Sequence, residues 1–392
     1  MRLSERQYHP DFEHLGQQSA AYAEIRVDAL VHNLTAIRQH IGQNVRFMAV
    51  LKANAYGHGL IGTARAVLPY IDTLGVARVS EGIKLRQAGI TAPIMVLYYA
   101  TPDETVLSAD YNLIPTVNDV ETAAAFSQRA VALGKTLPVQ VMVDTGIDTF
   151  GQLPNEVIPF IQHLQTLLGI RIEGIFTHFA TADAKDTTFT GEQVRHFQTV
   201  LNNLESAGIN IPLSHASNSP GTLWHPDANF NMVRCGIAMY GLGPTRDLLL
   251  PFELKPALSL KSHIARTRTL PAGSSFGYGR SYISRRPIQV ALIPVGYGDG
   301  YHRLISNRGM VLIRGQHAPI IGRISMDQFT VDVSHIEGVQ LHEEVVLIGQ
   351  QDKAQITADQ VAAWAETINY EITTSLTDRI PRIYLEKDQP NE

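Results

Sequence analysis

Lys52 closes an apolar run and opens the segment Lys52-Ala53-Asn54-Ala55-Tyr56-Gly57-His58-Gly59. An ammonium at the end of a buried strand is costly unless it is paired, hydrated or neutral. A lysine at a strand end is most often solvated surface. The chemical reading is a Schiff-base lysine, its amine made nucleophilic by desolvation or by neighbouring cations. Other polar groups also follow apolar runs: Asp144-Thr145-Gly146, His178, Ser217-Asn218-Ser219 and Arg234-Cys235-Gly236-Ile237. Taken singly, His178 reads as a satisfied core histidine and Arg234 as a structural ion-pair partner. Tyr56 and Tyr370 read as amphipathic packing residues. The small and polar residues around Ser219 and Gly236 suit an anion site, where backbone N–H groups face a phosphate. A lysine combined with such a loop points to pyridoxal phosphate.

These residues need a scaffold that brings strand ends together. Eight apolar runs precede residue 236: Val45–Leu51, Thr73–Ala77, Ile94–Tyr98, Asn112–Thr116, Val139–Val143, Ile172–Thr177, Leu213–His215 and Met232–Val233. Helical stretches separate them. Asp28 is expected to cap a helix with Leu30, Leu34, Ile37 and Ile41 on one face and Gly42 as its stop. Ser80 precedes a second helix ending near Gly89. Thr101-Pro102-Asp103-Glu104 is a cap with proline in the first turn. Asn118 and Glu121 resemble a capping box, and Gly134 closes that helix. Eight strands alternating with helices predict a parallel (β/α)8 barrel over residues 21–253, whose functional groups sit at the carboxyl ends of the strands. Residues 1–20 read as a tail.

The pattern changes near Pro251. Short strands separated by Pro271-Ala272-Gly273, Arg314-Gly315 and Glu337-Gly338 predict a β-rich domain over residues 254–392, with Val331 and Val333 alternating with polar neighbours. Thr357 and Gln360 start one late helix that runs through Trp364. Two segments stand out there: Phe276-Gly277-Tyr278-Gly279-Arg280-Ser281-Tyr282 and Val295-Gly296-Tyr297-Gly298-Asp299-Gly300-Tyr301. By composition alone they are β-turns with packing aromatics.

Composition narrows the function. The chain has 392 residues, 44% hydrophobic and 18% charged, a globular mixture large enough for two or three domains. A net charge of −5 leaves no basic footprint for nucleic acid. The single cysteine, Cys235, excludes an intrachain disulfide and a Cys-rich zinc framework, and no metal is expected. Met1–Gln18 is polar, without the apolar segment of a signal peptide. No apolar run approaches the ~20 residues that span a bilayer. A cytoplasmic protein acting on a small molecule is the expectation.

From about Ala21 to Tyr384 the sequence resembles the alanine racemases, a fold-type III family of pyridoxal-phosphate enzymes. The most specific stretch is Ala49–Gly59, close to the family's cofactor-lysine signature. Supporting stretches are Thr177–Asp183, Met232-Val233-Arg234, Gly277-Tyr278-Gly279-Arg280, Gly322-Arg323-Ile324-Ser325-Met326-Asp327-Gln328 and Thr367-Ile368-Asn369-Tyr370-Glu371. The resemblance implies that Lys52 holds pyridoxal 5'-phosphate and acts as one base, while Tyr278 of the other subunit is the second base on the opposite face. It implies that Tyr56, Ser219, Gly236, Ile237 and Tyr370 hold the phosphate. Arg234 then faces the pyridine nitrogen with His178 as its supporting neighbour. Met326, Asp327 and Tyr297 line the substrate pocket and its entrance. It further implies a head-to-tail homodimer with shared sites, a first strand at residues 22–27 that joins the second domain, and D-alanine supplied to peptidoglycan. Lysine and tyrosine ordinarily titrate near about 10, so such a pair of bases has to be tuned by neighbours.

The sequence departs from the family in one stretch and at Cys235. Where the family usually reads Lys-Val-Asp-Thr-Gly-Met-Gly-Arg, this chain reads Met142-Val143-Asp144-Thr145-Gly146-Ile147-Asp148-Thr149. Met142 replaces a lysine that is often carbamylated, and Thr149 replaces the arginine it orients. Cys235 stands where proline is common. The first two changes bear on how the substrate carboxylate is anchored. They keep two other readings open: a racemase for another small amino acid such as serine, and a cofactor-binding protein with weak catalysis. A fold-type III decarboxylase fits the tyrosine and Met-Asp-Gln stretches less well.

Overall fold

The computed structural model describes residues 19–386, so the expected tail lies almost wholly outside the described residues. The described chain divides into two compact units. One comprises Ala29–Ala55 and Leu60–Lys255. The other gathers Tyr56–Gly59 with the described residues before Ala29 and after Lys255.

The first unit is an α/β barrel. After strand β1 (Ala21–Arg26), which belongs to the other unit, come β2 (Arg46–Val50), β3 (Thr73–Val76), β4 (Ile94–Val96) and β5 (Ile114–Pro115). They are followed by β6 (Leu137–Met142), β7 (Ile170–Phe176), β8 (Leu213–His215) and β9 (Met232–Cys235). All of these pairings are parallel, in the orders β5-β4-β3-β2-β9 and β6-β7-β8. A parallel bridge between Thr116 and Gln140 joins β5 to β6. The N–H of Asn231 reaches Ser214 O at 3.2 Å, and that of Arg234 reaches Ser217 O at 2.9 Å, closing β8 onto β9. The eight apolar runs are these eight strands. Parallel strands covered on both faces are continuous in hydrophobicity, which is why short runs sufficed to find them.

Helices cover the strands. Val27–Ile41 buries Leu30, Leu34, Ile37 and Ile41, each stabilising by roughly 1.5–3 kcal/mol relative to exposure. It starts one residue before the expected cap. Asp28 lies within its first turn and pairs with Arg26, where it complements the positive end of the helix dipole. The helix expected after Ser80 begins at Val79, and Glu81 accepts from the Ala77 and Arg78 N–H groups. Thr101 caps Pro102–Asp110, with Glu104 completing the reciprocal box. The next helix, Val120–Ala132, is capped by Asp119, not Asn118. The Asp119 carboxylate takes the Thr122 N–H at 2.7 Å, while Asn118 Oδ1 accepts instead from Met142 N at the end of β6. Between helices and strands, Phe126, Phe160, Phe197, Ile161 and Ile175 form one buried cluster.

The second unit is mainly β. Its strands are β10 (Leu258–His263), β11 (Arg266–Leu270), β12 (Ser275–Phe276), β13 (Tyr282–Ile283), β14 (Ile288–Ile293), β15 (Met310–Ile313), β16 (Gln316–Ile321), β17 (Phe329–Asp332), β18 (Glu344–Gln351), β19 (Ala354–Ile356) and β20 (Arg382–Leu385). The main sheet runs β11-β14-β17-β16-β15-β18-β10-β1-β20, with β19 on β18 and a separate β12–β13 pair. Strand β1 pairs antiparallel with β10 and parallel with β20. The expected alternation at Val331–Val333 is broken, because Asp332 is also buried. Its carboxylate accepts from Ser334 N–H and hydroxyl and faces Arg286, which offsets the cost of burial. Thr357 and Gln360 form the expected box at the start of Ala358–Trp364. Among the described residues no helix is long and apolar enough to cross a membrane.

Candidate active site

In the barrel unit, β2 ends at Val50 and Lys52 follows Leu51 at its carboxyl end. Lys52 Nζ lies 3.3 Å from the Tyr98 hydroxyl, beyond β4, and 5.1 Å from the centre of that ring. The next four residues, Ala53, Asn54, Ala55 and Tyr56, have φ between 52° and 55°. Four non-glycine residues in a left-handed turn cost roughly 1–2 kcal/mol each, so the turn persists only where its surroundings over-determine it. Within the barrel, Ala53 N–H donates to Glu81 Oε1 at 2.7 Å, Ala55 N–H to Leu51 O at 2.8 Å and Leu60 N–H to Asn54 Oδ1 at 2.7 Å. Glu81 also ties down the loop after β3, so one carboxylate secures two strand ends. Nothing in the local sequence marks it beyond its place as an acidic residue in a first helical turn.

Arg234 on β9 is 3% exposed and sits where β7, β8 and β9 converge. Its Nη1 donates to His215 Nδ1 at 2.8 Å. Its Nη2 reaches Thr177 O at 2.8 Å, Ala216 O at 3.0 Å and His178 Nδ1 at 3.1 Å. All four acceptors are neutral groups. Among the described residues no carboxylate pairs with Arg234, so the ion-pair reading fails. Burial lowers its pKa to about 10, which still leaves it charged at neutral pH. The histidines accommodate that charge by staying neutral. Burial first, then Arg234 and Lys52, lower His178 to about 3. Burial and Arg234 hold His215 well below the ordinary range. Neither imidazole nitrogen facing the guanidinium carries a proton, so each accepts. His215 is a functional candidate that sequence reasoning missed. It is the last residue of β8, and reading that strand's end rather than the loop after it would have found it.

Ser219 opens the short helix Ser219–Trp224 and is 4% exposed. Its Oγ accepts from Gly236 N–H at 3.0 Å and from Ala238 N–H at 3.4 Å. Ile237 lies between these donors and starts the 3₁₀ turn Ile237–Tyr240. Ser219, Gly236 and Ile237 are therefore one cluster of backbone N–H groups and a hydroxyl. Cys235 packs behind it, its thiol pushed up to about 12 by burial and so kept as a neutral thiol.

These residues fit pyridoxal phosphate on the donor chemistry. The four Arg234 contacts use Nη1 and Nη2, and none uses Nε. A guanidinium held this way offers a further N–H to an acceptor such as a pyridine nitrogen. The Ser219–Gly236–Ile237 cluster matches an anionic tail.

Met142, the last residue of β6, is 3% exposed, and Thr149 lies exposed in the following loop. Asp144 Oδ1 shapes that loop by accepting the N–H groups of Gly146, Ile147 and Asp148 at 3.0–3.1 Å. Neither Met142 nor Thr149 brings a charge.

In the second unit, Tyr56 and Tyr370 approach with ring centres 6.2 Å apart. Gly57 is required beside them: its φ is +82°, and a Cβ would lie 1.8 Å from Thr373 O. Arg382 Nε donates to Gly57 O at 2.9 Å, holding the same segment. Tyr278 projects 72% exposed from a turn whose Gly277 and Gly279 admit the Arg323 backbone and guanidinium. Tyr297, 42% exposed, and Met326, 52% exposed, occupy two turns joined by Tyr297 N–H to Ser325 O and Gly298 N–H to Met326 O, at 3.1 and 2.8 Å. Arg379 bridges Asp327 and Asp299 across those turns, at 2.8 and 3.3 Å. The site residues expected from sequence thus fall into compact clusters: Lys52 with Tyr98, Arg234 with His178, Ser219 with Gly236 and Ile237, Tyr56 with Tyr370, and Tyr297 with Met326 and Asp327. Tyr278 lies on its own short turn in the second unit.

Comparison with known proteins gives the same reading along the whole described chain. Residues 25–244 match the family "Alanine racemase, N-terminal domain", and residues 257–384 match "Alanine racemase, C-terminal domain". An alanine racemase of Halothermothrix orenii is 42% identical, covering 93% of this chain and 97% of that protein. One from Carboxydothermus hydrogenoformans is 40% identical, covering 93% and 99%. The solved alanine racemase of Clostridium difficile superposes with a TM-score of 0.90 at 36% identity, covering 95% of this chain and 97% of that one. A histidine racemase of Leuconostoc mesenteroides also superposes, with a TM-score of 0.87 at 30% identity, covering 93% and 98%.

Proposed function

The chain belongs to the alanine racemase family, and we propose that it interconverts L-alanine and D-alanine with pyridoxal 5'-phosphate by a two-base mechanism. The observation that carries this is the buried Arg234, charged yet held entirely by neutral acceptors and with Nε outside that set. Lys52 holds the cofactor. Tyr56, Ser219, Gly236, Ile237 and Tyr370 hold its phosphate, and His178 steadies Arg234 against the ring nitrogen. When bound, pyridoxal phosphate supplies the electron sink that acidifies the substrate Cα–H. Arg234, as a permanent donor, keeps the ring nitrogen unprotonated. That limits the sink and favours return of the proton over side reactions.

Racemisation removes the Cα proton from one face and returns one to the other. Lys52 serves one face and Tyr278 of the partner subunit the other, so the bound substrate need not turn over. Met326 and Asp327 line the pocket from that same partner, and Tyr297 lies at its narrow entrance. The working form is a cytoplasmic homodimer built from the barrel domain, residues 21–253 with the strand at 22–27 joining the other domain, and the β-rich domain, residues 254–392. Its product is D-alanine for peptidoglycan.

Reduction with borohydride after loading should fix the cofactor to Lys52, as read by peptide mapping. An adduct on another lysine would overturn the site assignment.

Met142 and Thr149 favour a second reading of the substrate, an altered preference that admits serine. Losing one charge-assisted hydrogen bond removes ~1.5–3 kcal/mol, roughly ten- to a hundredfold in affinity. The two losses are compatible, because neither strands a charge on the other. We expect Met142→Lys with Thr149→Arg to lower KM for alanine, and Thr149→Arg alone to lower it less, because its orienting partner is absent. A parent that already binds alanine tightly, weakened by the double replacement, would show that another residue anchors the carboxylate. Incubation with single enantiomers of several amino acids, resolved by chiral chromatography, separates alanine, serine and weak-catalysis readings.

A further inference from the structure

Behind Arg234 the contact chain continues to a residue that touches neither cofactor nor substrate in this reading. His215 Nε2 lies 2.7 Å from Gln140 Oε1, on β6. His215 and Gln140 are 0% and 1% exposed. Proton accounting along the chain has one solution. Arg234 Nη1 can only donate, so His215 Nδ1 must accept and carries no proton. The neutral imidazole then carries its proton on Nε2, which donates, and Gln140 must present its carbonyl oxygen. Three further features hold this arrangement. Phe176 stacks on the His215 ring at 4.9 Å and 3°, and the Arg234 guanidinium lies 5.2 Å from the same Phe176 ring. Gly174 on β7 leaves room for the glutamine: a Cβ there would lie 2.9 Å from Gln140 Cδ. Arg234 is the charged group that acts on His215, with His178 on the far side of the guanidinium.

We propose that Gln140 is a positioning residue: its carbonyl oxygen holds the Nε2–H of the His215 ring, whose tautomer Arg234 sets, and thereby aims the Arg234 guanidinium at the cofactor ring. The inference rests on the pyridoxal-phosphate reading above. An amide oxygen suits this place where a carboxylate would not. A carboxylate would favour the imidazolium, whose Nδ1–H would oppose the Arg234 donor and place two cations side by side. An apolar side chain would leave the His215 Nε2–H buried without an acceptor and free the ring to shift away from Arg234.

The test compares the parent with Gln140→Glu and Gln140→Met, both close in volume. The first readout is the ¹⁵N–¹H pattern of the His215 ring, recorded without cofactor. The second is the dissociation constant for pyridoxal phosphate from visible absorbance. We expect a neutral Nε2–H ring in the parent, a His215 titration brought into the range of about pH 5–8 in Gln140→Glu, and in Gln140→Met an Nε2–H signal shifted by the loss of its acceptor. Cofactor affinity should fall about tenfold in each variant, the effect of one hydrogen bond. An Nδ1–H ring in the parent overturns the proposal without any variant. Folded variants with parental ring signals and parental affinity overturn it too. Failure of the parent to bind pyridoxal phosphate while His215 shows the Nε2–H pattern would instead remove the functional reading on which the proposal rests.

Discussion

Mixing an inactive Lys52→Ala protein with an inactive Tyr278→Ala protein, under conditions that exchange subunits, should restore racemisation from near zero. Each heterodimer then regains one intact site of two, about half the parental activity by site counting in a two-fold dimer. The reason lies in where the two residues sit. Lys52 ends a strand inside the barrel unit, secured by the Glu81 carboxylate through the turn that follows. Tyr278 sits in the other unit, 72% exposed on a glycine-flanked turn. An exposed aromatic with a polar tip is suited to completing a site on another copy of the chain. Activity assays and mass measurement of the exchanged species check this together. Exchange without recovery would mean that each site is built within one chain.

Tyr278→Phe should slow racemisation by ~10²–10⁴, the usual contribution of a general acid–base group. The loss has a direction. If Lys52 and Tyr278 serve opposite faces, removing the phenol impairs abstraction from L-alanine directly and leaves abstraction from D-alanine to Lys52. The equilibrium constant cannot change, so both net directions slow. The asymmetry appears in exchange of the α-proton with deuterated solvent, started from single enantiomers. D-alanine should exchange near the parental rate while L-alanine lags. Parental exchange of both enantiomers would remove Tyr278 as the second base. Because phenylalanine retains the ring, the packing of the turn against Arg323 is preserved and the readout isolates the hydroxyl.

The sequence by itself determined the barrel and the polar residues at its strand ends. Eight apolar runs found eight strands, because parallel strands buried on both faces leave an uninterrupted signal. Residues at strand ends were legible for the same reason, since a strand's end fixes where its next side chain points. Lys52, Ser219, Arg234 and Gly236 came from that rule, and their roles came from the resemblance carried by a handful of ordered stretches. Helix starts were less secure. Asn118 and Asp119 are both good caps, and only the competing demand of the Met142 N–H for an acceptor assigns Asn118 to the strand end and Asp119 to the helix.

What the tertiary structure decided is whatever depends on partners distant in sequence. The left-handed turn after Lys52 violates local preference at four residues, and the contacts that hold its barrel part, Ala53 N–H to Glu81 and Leu60 N–H to Asn54, are not visible in local sequence. The state of Arg234 was likewise invisible. The sequence offers 37 acidic residues as partners, yet the guanidinium lies among two neutral histidines and two carbonyls. Strand order in the barrel brings β6, β8 and β9 together, so that burial beside Arg234 keeps His215 neutral while its Nε2 faces Gln140, 75 residues away. Charge state follows from burial and from the acceptors within reach. Both are properties of the folded chain that residue spacing does not encode.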